Sequence, residues 1–242
     1  MESPDPGRAP RLDVRRLGTG YGSKQVVFDL SLEVGASEIV AVLGHNGAGK
    51  TTAMSAIFGL LPAREGAVEL DGAAMTKLDP RTRVRAGMSF VPADNFVFAD
   101  LTVAENLALG GLTESRADRR RGNLEWVFDR WPILAERRTQ LAGTMSGGQR
   151  RLLSLGISLM SSPTLLLLDE PSLGLAPNVV DRLFADLRHL ADERGLGVLI
   201  VEQSVAKVLA IADRAYVMRS GRVIAHETAG HFAQRDSLWE LF

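Results

Sequence analysis

The 242-residue sequence lacks cysteine, so it can form neither a disulfide framework nor a thiolate metal site, and its four scattered histidines disfavour a zinc site. It has no excess of either charge: 28 basic and 29 acidic side chains give a net charge of −1, which argues against a global attraction to nucleic acid or anionic lipid. Its wholly apolar runs, such as 165–168, are far shorter than the roughly 20 residues that a membrane-spanning helix needs. Residues 1–11 carry three prolines without the apolar core of a secretion signal, and we predict a flexible leader there.

The rest of the chain has the composition of a compact globular domain, and 12–228 is predicted to form one α/β domain followed by a C-terminal tail, 229–242. Short apolar segments alternate with helical patterns, which predicts βαβ crossovers and a parallel core sheet, with the all-apolar strand 164–168 at its centre. Near the N-terminus, two strand patterns and an Asp71-Gly72 turn predict a smaller antiparallel part. From about 94 to 142 the pattern is mainly helical and predicts a helical sub-domain. The predicted strands are 26–34, 38–43, 67–70, 89–91, 164–168, 197–201 and 215–218.

A glycine-rich segment, GHNGAGKT at 44–51, fits the pattern G-x-x-x-x-G-K-[ST] at every fixed position, follows a predicted strand and opens a predicted helix. In such a P-loop the backbone N–H groups surround phosphate oxygens, and the helix N-terminus adds partial positive charge. Lys50 would neutralise the terminal phosphates, and Thr51 would ligate Mg²⁺. The predicted nucleotide-binding residues here are Gly44, His45, Asn46, Gly47, Ala48, Gly49, Lys50, Thr51 and Thr52.

Two carboxylates, Asp169 and Glu170, follow the apolar strand 164–168. Functional sites collect at the carboxyl ends of parallel strands, although two acids at a strand end are equally compatible with a purely structural role. With a P-loop upstream, the pair predicts a P-loop NTPase in which Asp169 holds Mg²⁺, through water, and Glu170 acts as the catalytic base that polarises the attacking water.

A third motif, Met145-Ser146-Gly147-Gly148-Gln149, lies between the P-loop and the two acids. By itself this segment could be only a helix cap, since serine is a preferred N-cap residue. Its position in the chain favours another reading: it closely resembles the L-S-G-G-Q signature of ABC ATPases, with Met in place of Leu. A serine hydroxyl and glycine amides at a helix N-terminus can bind phosphate.

The resemblance to ABC ATPases, which covers 12–225, implies ATP and Mg²⁺ as ligands and a head-to-tail pair of ATPases. Ser146, Gly147, Gly148 and Gln149 would then act in trans, closing over the γ-phosphate on the partner's P-loop. Tyr21 matches the aromatic residue that stacks on adenine; the alternative is a buried strand aromatic, although Tyr21 lies between two glycines. Gln203 stands where most of the family has a catalytic histidine, and it can donate a hydrogen bond to phosphate but cannot carry a proton charge.

Four segments show a narrower resemblance, to the smaller ATPase of branched-chain amino acid uptake systems. This resemblance implies import of branched-chain or other hydrophobic amino acids through separate integral-membrane permease subunits, with a solute-binding protein acting indirectly. The chain would work at the inner face of the cell membrane, in the cytoplasm, paired with a second ATPase subunit or with its own copy, and without nucleic acid. The segments are TVAENL (102–107), LAGT (141–144), PSLGLAP (171–177), in which Ala176 replaces the usual aspartate, and VEQ (201–203).

One position departs from the family pattern. Ala93 occupies the place of the glutamine or glutamate of the Q-loop, and a methyl group cannot orient water or magnesium. Two hypotheses follow: Asp94 takes over the polar role one residue later, or this loop mainly transmits motion to the membrane partner.

Several alternatives stay open at the level of sequence. The chain could be a nucleotide-dependent clamp on nucleic acid, an ATPase that binds ATP but barely hydrolyses it, an exporter, or an importer of amides or urea-like solutes. An arginine cluster in the helical region either docks acidic groups or is a solvated face, and the apolar side chains of the tail pack on their own core or on the sister ATPase. The cluster is Arg116, Arg119, Arg120 and Arg121, and the tail residues are Phe232, Leu238, Trp239, Leu241 and Phe242.

Overall fold

The computed structural model describes residues 9–94 and 96–234, which form ten β-strands and nine α-helices. The strands are β1 Leu12–Tyr21, β2 Lys24–Val34, β3 Ile39–Leu43, β4 Glu65–Leu70, β5 Ala73–Ala74, β6 Met88–Val91, β7 Leu165–Asp169, β8 Gly197–Val201, β9 Arg214–Arg219 and β10 Arg222–Thr228. The helices are α1 Lys50–Phe58, α2 Pro80–Arg85, α3 Val103–Gly110, α4 Ala117–Arg130, α5 Pro132–Glu136, α6 Gly147–Leu159, α7 Pro177–Arg194, α8 Val205–Leu209 and α9 Ala229–Ala233.

The larger sheet has six strands in the order β10-β9-β3-β8-β7-β6, and neighbouring strands from β9 to β6 run parallel. The predicted parallel core sheet is therefore confirmed, with β10 added antiparallel at one edge. The expectation that the strand at 164–168 lies at the centre is wrong: β7 is one strand from the edge, and β3 and β8 are central. The apolar run in β7 reflects burial on both faces of the sheet. Any strand with two neighbours in a sheet covered on both faces is buried in this way, so the run does not identify the central strand.

The smaller sheet has the order β2-β1-β4-β5 and is antiparallel throughout, as expected for the N-terminal part. Its β4–β5 turn is the predicted Asp71-Gly72, and both residues have positive φ, 47° and 76°. A two-residue turn with two positive φ angles matches the right-handed twist of the strands it joins, and Gly72 adopts this conformation without strain.

Apolar residues cover both faces of the six-stranded sheet. On one face, Ile39, Leu166 and Ile200 pack with apolar side chains of α6, α7, α8 and α9. On the other face, Val40 and Leu167 pack with α1 and the four-stranded sheet. Both hydrophobic layers anchor β3, β7 and β8, so the loops at the carboxyl ends of these strands start from a rigid base.

Helices α3, α4 and α5 lie between β6 and α6, where the sequence predicts a helical sub-domain; the limits of about 94 and 142 stay a prediction. Thr102 and Glu105 form a capping box at the start of α3, as the T-x-x-E spacing of 102–105 predicts. The helices pack closely on α6 at Gly156, where an added Cβ would lie 2.9 Å from Leu107 and 3.1 Å from Val127. The absence of a side chain at Gly156 thus allows α3 and α4 to pack closely on α6.

The arginine cluster lies on and before α4, and three of its members already have partners. Arg116 forms an ion pair with Asp118, while Arg119 and Arg120 contact Glu114. These contacts favour the solvated-face interpretation. In the tail, Phe232 is fully buried in the α6–α9 core, which supports packing on its own domain, whereas Leu238, Trp239, Leu241 and Phe242 lie outside the described residues, as do leader residues 1–8.

Candidate functional site

The glycine-rich loop runs from the end of β3 into α1, which begins at Lys50. Gly44 has φ 151°, and an added Cβ there would clash with the Met218 carbonyl oxygen of the neighbouring strand. Gly49 has φ 99° and is the residue before the helix. Both positions require glycine, so the loop can bring its N–H groups and the N-terminus of α1 to one point.

Lys50 lies inside this loop. Its Nζ donates hydrogen bonds to the carbonyl oxygens of Gly44, at 2.6 Å, and of His45, at 3.0 Å, and the side chain is 5% exposed. Burial lowers the pKa of Lys50, while the charges of Glu170 and Asp169 act in the opposite direction. Additional negative charge in the loop would therefore stabilise the ammonium, which is the property a phosphate site needs.

Asp169 ends β7 directly below the loop and is 1% exposed. Burial raises its pKa; a hydrogen bond from the Thr51 side chain lowers it, and the charge of Glu170 raises it further. Its Oδ1 is buried and has no hydrogen-bond partner among the described residues. A free carboxylate oxygen beside a threonine hydroxyl suits Mg²⁺, which prefers oxygen ligands.

The described residues contain no group of three or more histidine, cysteine, aspartate and glutamate side chains that could hold a metal ion by themselves. A magnesium site of the NTPase type does not need such a group. There the protein supplies one or two ligands, and substrate phosphates and water supply the rest.

Glu170 and Gln203 come together from the ends of adjacent strands. The Gln203 side-chain amide donates a hydrogen bond to Glu170 Oε1 at 2.8 Å. Glu170 has φ 45°, a left-handed conformation that costs a non-glycine residue energy and that surrounding contacts must hold in place. The carboxylate is therefore directed by its neighbours.

A cavity of about 350 Å³ connects these groups. Its lining joins six of the nine predicted P-loop residues to both residues of the Glu170–Gln203 pair. The lining residues are Val26, Asn46, Gly47, Gly49, Lys50, Thr51, Thr52, Glu170 and Gln203. Of these, Val26 was missed at the level of sequence, because an apolar residue in a strand pattern has no distinctive signal.

Tyr21 lies beside this cavity at the end of β1, with its hydroxyl 3.5 Å from Thr52 Oγ1. Its side chain is 53% exposed, so the alternative of a buried strand aromatic is wrong. The exposed ring is available for stacking, which stays a prediction.

Ser146 caps α6. Its hydroxyl accepts a hydrogen bond from the Gln149 N–H, and the Gln149 side chain accepts one from the Ser146 N–H, which is a capping box. An added Cβ at Gly147 would meet no atom within 4 Å, so the helix N-terminus is open to an approaching group. The four motif residues are absent from the cavity lining given above, so within one chain the signature and the P-loop are not brought together.

Sequence reasoning missed two buried charges behind the site. Glu202 is 1% exposed and accepts hydrogen bonds from the Ser172 backbone N–H and hydroxyl, both at 2.8 Å. Arg151 is 0% exposed and bonds backbone carbonyls of two loops. A signal for Arg151 existed: it stands with Leu155 and Leu159 at i, i+4, i+8 spacing, a charge in a buried helical stripe.

The loop of Ala93 is held through its backbone. The Ala93 carbonyl accepts a hydrogen bond from Arg151 at 2.8 Å, and Asp94 is exposed and does not line the cavity. This arrangement supports the hypothesis of a loop that transmits motion over that of a polar replacement by Asp94.

Among the described residues, no helix is both long enough and apolar enough to span a membrane.

The sequence matches the model of the family "ABC transporter" over residues 27–173. It is 42% identical to the high-affinity branched-chain amino acid transport ATP-binding protein BraG of Pseudomonas aeruginosa over 90% of this chain and 92% of the relative. It is 35% identical to the probable branched-chain amino acid transport ATP-binding protein LivF of Archaeoglobus fulgidus, over 93% and 95%. It is 33% identical to the lipopolysaccharide export system ATP-binding protein LptB of Escherichia coli K12, over 96% of both chains.

Solved structures share the fold. An ATP-binding subunit of an ABC transporter superposes with a TM-score of 0.84 at 26% identity, covering 95% of this chain and 97% of that one. The ADP conformation of the ATP-binding cassette MJ1267 superposes with a TM-score of 0.81 at 25% identity, covering 96% and 98%. With its P-loop, acidic strand end and signature motif in place on this fold, the chain belongs to the ABC transporter family, as an ATPase subunit.

Proposed function

We propose that this subunit hydrolyses ATP at the Lys50–Glu170 cavity to drive import of branched-chain or other hydrophobic amino acids through separate permease subunits, from the cytoplasmic face of the cell membrane. The observation that carries the chemistry is the cavity itself, which joins a phosphate-binding loop to a carboxylate directed by Gln203. The observation that favours the substrate class is the 42% identity to BraG.

The triphosphate would lie in the P-loop, where Lys50 and the N-terminus of α1 bind its terminal phosphates and Tyr21 stacks on the adenine. Thr51 and Asp169 would hold Mg²⁺. The Oδ1 atom of Asp169 accepts no hydrogen bond from the described residues. When bound, the ion neutralises charge on the phosphate oxygens.

Glu170 would act as the base. Its carboxylate accepts a proton from the attacking water as the new bond to the γ-phosphorus forms and the bond to the β–γ bridging oxygen breaks, giving ADP and phosphate. Gln203 donates a hydrogen bond from Nε2 to Oε1 of Glu170 and lines the same cavity, so it can orient the water or a γ-phosphate oxygen.

Completion of the site requires a second ATPase, either another subunit or a second copy of this chain. The signature at Ser146–Gln149 lies away from the cavity of its own chain, and its open N-terminus at Gly147 is suited to a partner's γ-phosphate. The membrane partners would be integral-membrane permeases, and a solute-binding protein would act through them.

The chemistry can be tested by measuring phosphate release from Mg²⁺-ATP by the native protein and by Glu170→Gln, with size-exclusion chromatography of the variant with and without ATP. We expect turnover that Glu170→Gln abolishes, retained ATP binding and ATP-dependent dimerisation. Glu125→Gln makes the same chemical change on the exposed face of α4 and should leave turnover unchanged. Equal turnover in native protein and Glu170→Gln would refute the assignment of the base.

Export is the second candidate, because LptB proteins are also related. To separate the candidates, the complete transporter with its permeases is placed in liposomes, and ATP-driven uptake of leucine, isoleucine and valine is compared with that of acetamide and urea. We expect saturable uptake of the branched-chain amino acids. Uptake of only acetamide or urea would reassign the substrate, and ATP hydrolysis without uptake of any of these solutes would favour an export function.

A further inference from the structure

Arg151 is a buried guanidinium directly behind the proposed site. Its side chain is 0% exposed, and no carboxylate among the described residues lies within ion-pair distance. Burial lowers its pKa, opposed by the charges of Glu202 and Asp169. A buried charge without a direct ion pair is costly, and an apolar side chain would fill the same place at a lower cost in free energy, so packing alone does not account for an arginine here.

The terminal nitrogens of Arg151 donate to backbone carbonyls of two different loops, while its buried Nε has no hydrogen-bond partner among the described residues. The two terminal nitrogens donate to Pro92 at 2.9 Å, to Ala93 at 2.8 Å and to Glu170 at 3.0 Å. The first two residues follow β6, and Glu170 follows β7. A planar, forked side chain can bridge these three acceptors at fixed angles, which a lysine cannot do.

The hydrogen bond from Arg151 to the Glu170 carbonyl supports the backbone conformation of the proposed catalytic base. The Glu170 φ of 45° is a strained conformation that its contacts must maintain, among them the hydrogen bonds from the Leu173 N–H to its carbonyl, at 3.1 Å, and from its own N–H to the Val201 carbonyl, at 2.9 Å. Gln203 holds its carboxylate, and Arg151 holds its carbonyl oxygen. Arg151 also stands two residues after Gln149, on the helix that Ser146 caps, so one side chain connects the signature helix, the Ala93 loop and the backbone of Glu170.

We propose, resting on the proposed role of Glu170 as the base, that Arg151 is a positioning residue that fixes the Glu170 backbone against the Ala93 loop and the signature helix. The side chain of Ala93 cannot form a hydrogen bond, and the backbone carbonyl of Ala93 accepts one from Arg151 instead. Displacement of that loop moves the guanidinium and, with it, the catalytic carboxylate, while the P-loop keeps its own geometry.

The test compares Arg151→Met and Arg151→Lys with the native protein in steady-state ATP hydrolysis. Arg83→Met is the matched control, since Arg83 is also buried, at 2% exposed, and bonds the carbonyls of Ala56, Ile57, Thr76 and Leu78, away from Glu170. Thermal unfolding of each variant gives the folded fraction by which turnover is normalised.

For Arg151→Met we expect kcat to fall about tenfold or more per folded molecule with KM for ATP within about twofold, because a misplaced base affects the transition state and not nucleotide binding. Arg151→Lys should recover part of the loss. Arg83→Met should lose thermal stability without losing kcat. A kcat for Arg151→Met equal to that of Arg83→Met would overturn the proposal.

Amide hydrogen exchange tests the same proposal without turnover. Arg151→Met should exchange faster than the native protein in the loop after β6 and at 170–173, with α1 unchanged. Unchanged exchange in both loops would overturn the role of Arg151 even if the native protein hydrolyses ATP. A native protein without turnover, but with faster exchange in Arg151→Met, would place the fault in the proposed function and leave the positioning role standing.

Discussion

Gln203 donates a hydrogen bond from Nε2 to Oε1 of Glu170 at 2.8 Å, joining the loop after β8 to the loop after β7. The amide has no titratable proton, so it can direct the carboxylate without changing charge. The buried carboxylate of Glu202 stabilises this arrangement. It accepts hydrogen bonds from Ser172 in the loop after β7 and, at 3.1 Å, from the Gln203 N–H in the loop after β8. The geometry of the pair is therefore defined from two sides.

Removal of the Gln203 amide should reduce turnover. A hydrogen bond to a charged group contributes about 1.5–3 kcal/mol, so Gln203→Ala should lower kcat roughly 10- to 100-fold while the dissociation constant of ATP changes little. Phosphate release and isothermal titration calorimetry measure the two quantities. An unchanged kcat would show that the pair has no role in hydrolysis.

Replacement of Gln203 by histidine should introduce a pH dependence. Imidazole titrates near pH 6.5, and its charged form beside Glu170 weakens the carboxylate as a base, so kcat of Gln203→His should fall as pH decreases from 8 to 6. The native profile should lack this limb, because glutamine does not titrate. Superimposable native and variant profiles would contradict the expectation.

Tyr21 should contribute to nucleotide affinity without contributing to stability, since its ring is 53% exposed. Loss of base stacking costs about 1–3 kcal/mol, which predicts that Tyr21→Ala raises the dissociation constant of ATP roughly 5- to 150-fold. Tyr21→Trp should retain affinity, and Phe96→Ala, which removes another exposed aromatic ring, should have no effect. Equal affinities of the Tyr21→Ala variant and native protein would exclude stacking.

The sequence pattern predicted strands that are buried along their whole length, such as β7 and β8. The pattern missed β1, because a bulge between Val14 and Leu17 breaks its period of two and places Arg16 at φ 47°. It also missed the edge strand β10, whose Arg222–Thr228 face is only half-buried. Edge strands and bulges depend on neighbours that local sequence does not reveal.

The candidate site divides in a similar way. Its local parts, such as the P-loop and the Ser146 cap, follow from residue spacing. Its hydrogen bonds between distant parts of the sequence do not follow from spacing. Arg151 and Pro92 are 59 positions apart, and Glu202 and Ser172 are 30 positions apart. Such contacts depend on strand order, which the sequence indicates only as a class of topologies.

Ser146 should have two separable effects. Loss of its capping hydroxyl in Ser146→Ala should cost about 0.5–2 kcal/mol of stability, and the same change should remove a contact to the partner's nucleotide. Thr102→Ala is the matched control, since it deletes the equivalent capping box on α3. Each is introduced into the Glu170→Gln background and examined by urea unfolding and size-exclusion chromatography with ATP.

Both variants should unfold at lower urea concentration, and only Ser146→Ala should lose ATP-dependent dimerisation. Dimerisation that persists in Ser146→Ala, or that is lost equally in both variants, would mean that the hydroxyl serves only as a helix cap.

Burial of the ionised Asp169 carboxylate, which the proposed metal site needs, should lower the free energy of unfolding of the protein without Mg²⁺. Its pKa is raised by burial, so the native state holds this proton more tightly than the unfolded chain does. As pH rises from the ordinary aspartate pKa through the raised value, the proton is lost and stability decreases. Asp169→Asn cannot ionise, and without Mg²⁺ it should melt at a higher temperature than the native protein at pH 7, with a difference that shrinks as pH falls toward 4.

Addition of Mg²⁺-ATP should reverse this order, because the native protein gains stability by binding it while Asp169→Asn loses the metal ligand and, with it, turnover. Thermal unfolding between pH 4 and pH 8 with and without Mg²⁺-ATP measures both effects, and exposed Asp100→Asn is the control that should follow the native curve. A variant that is less stable than the native protein at pH 7 without Mg²⁺, or equally stabilised by Mg²⁺-ATP, would show that the free Oδ1 does not mark the metal position.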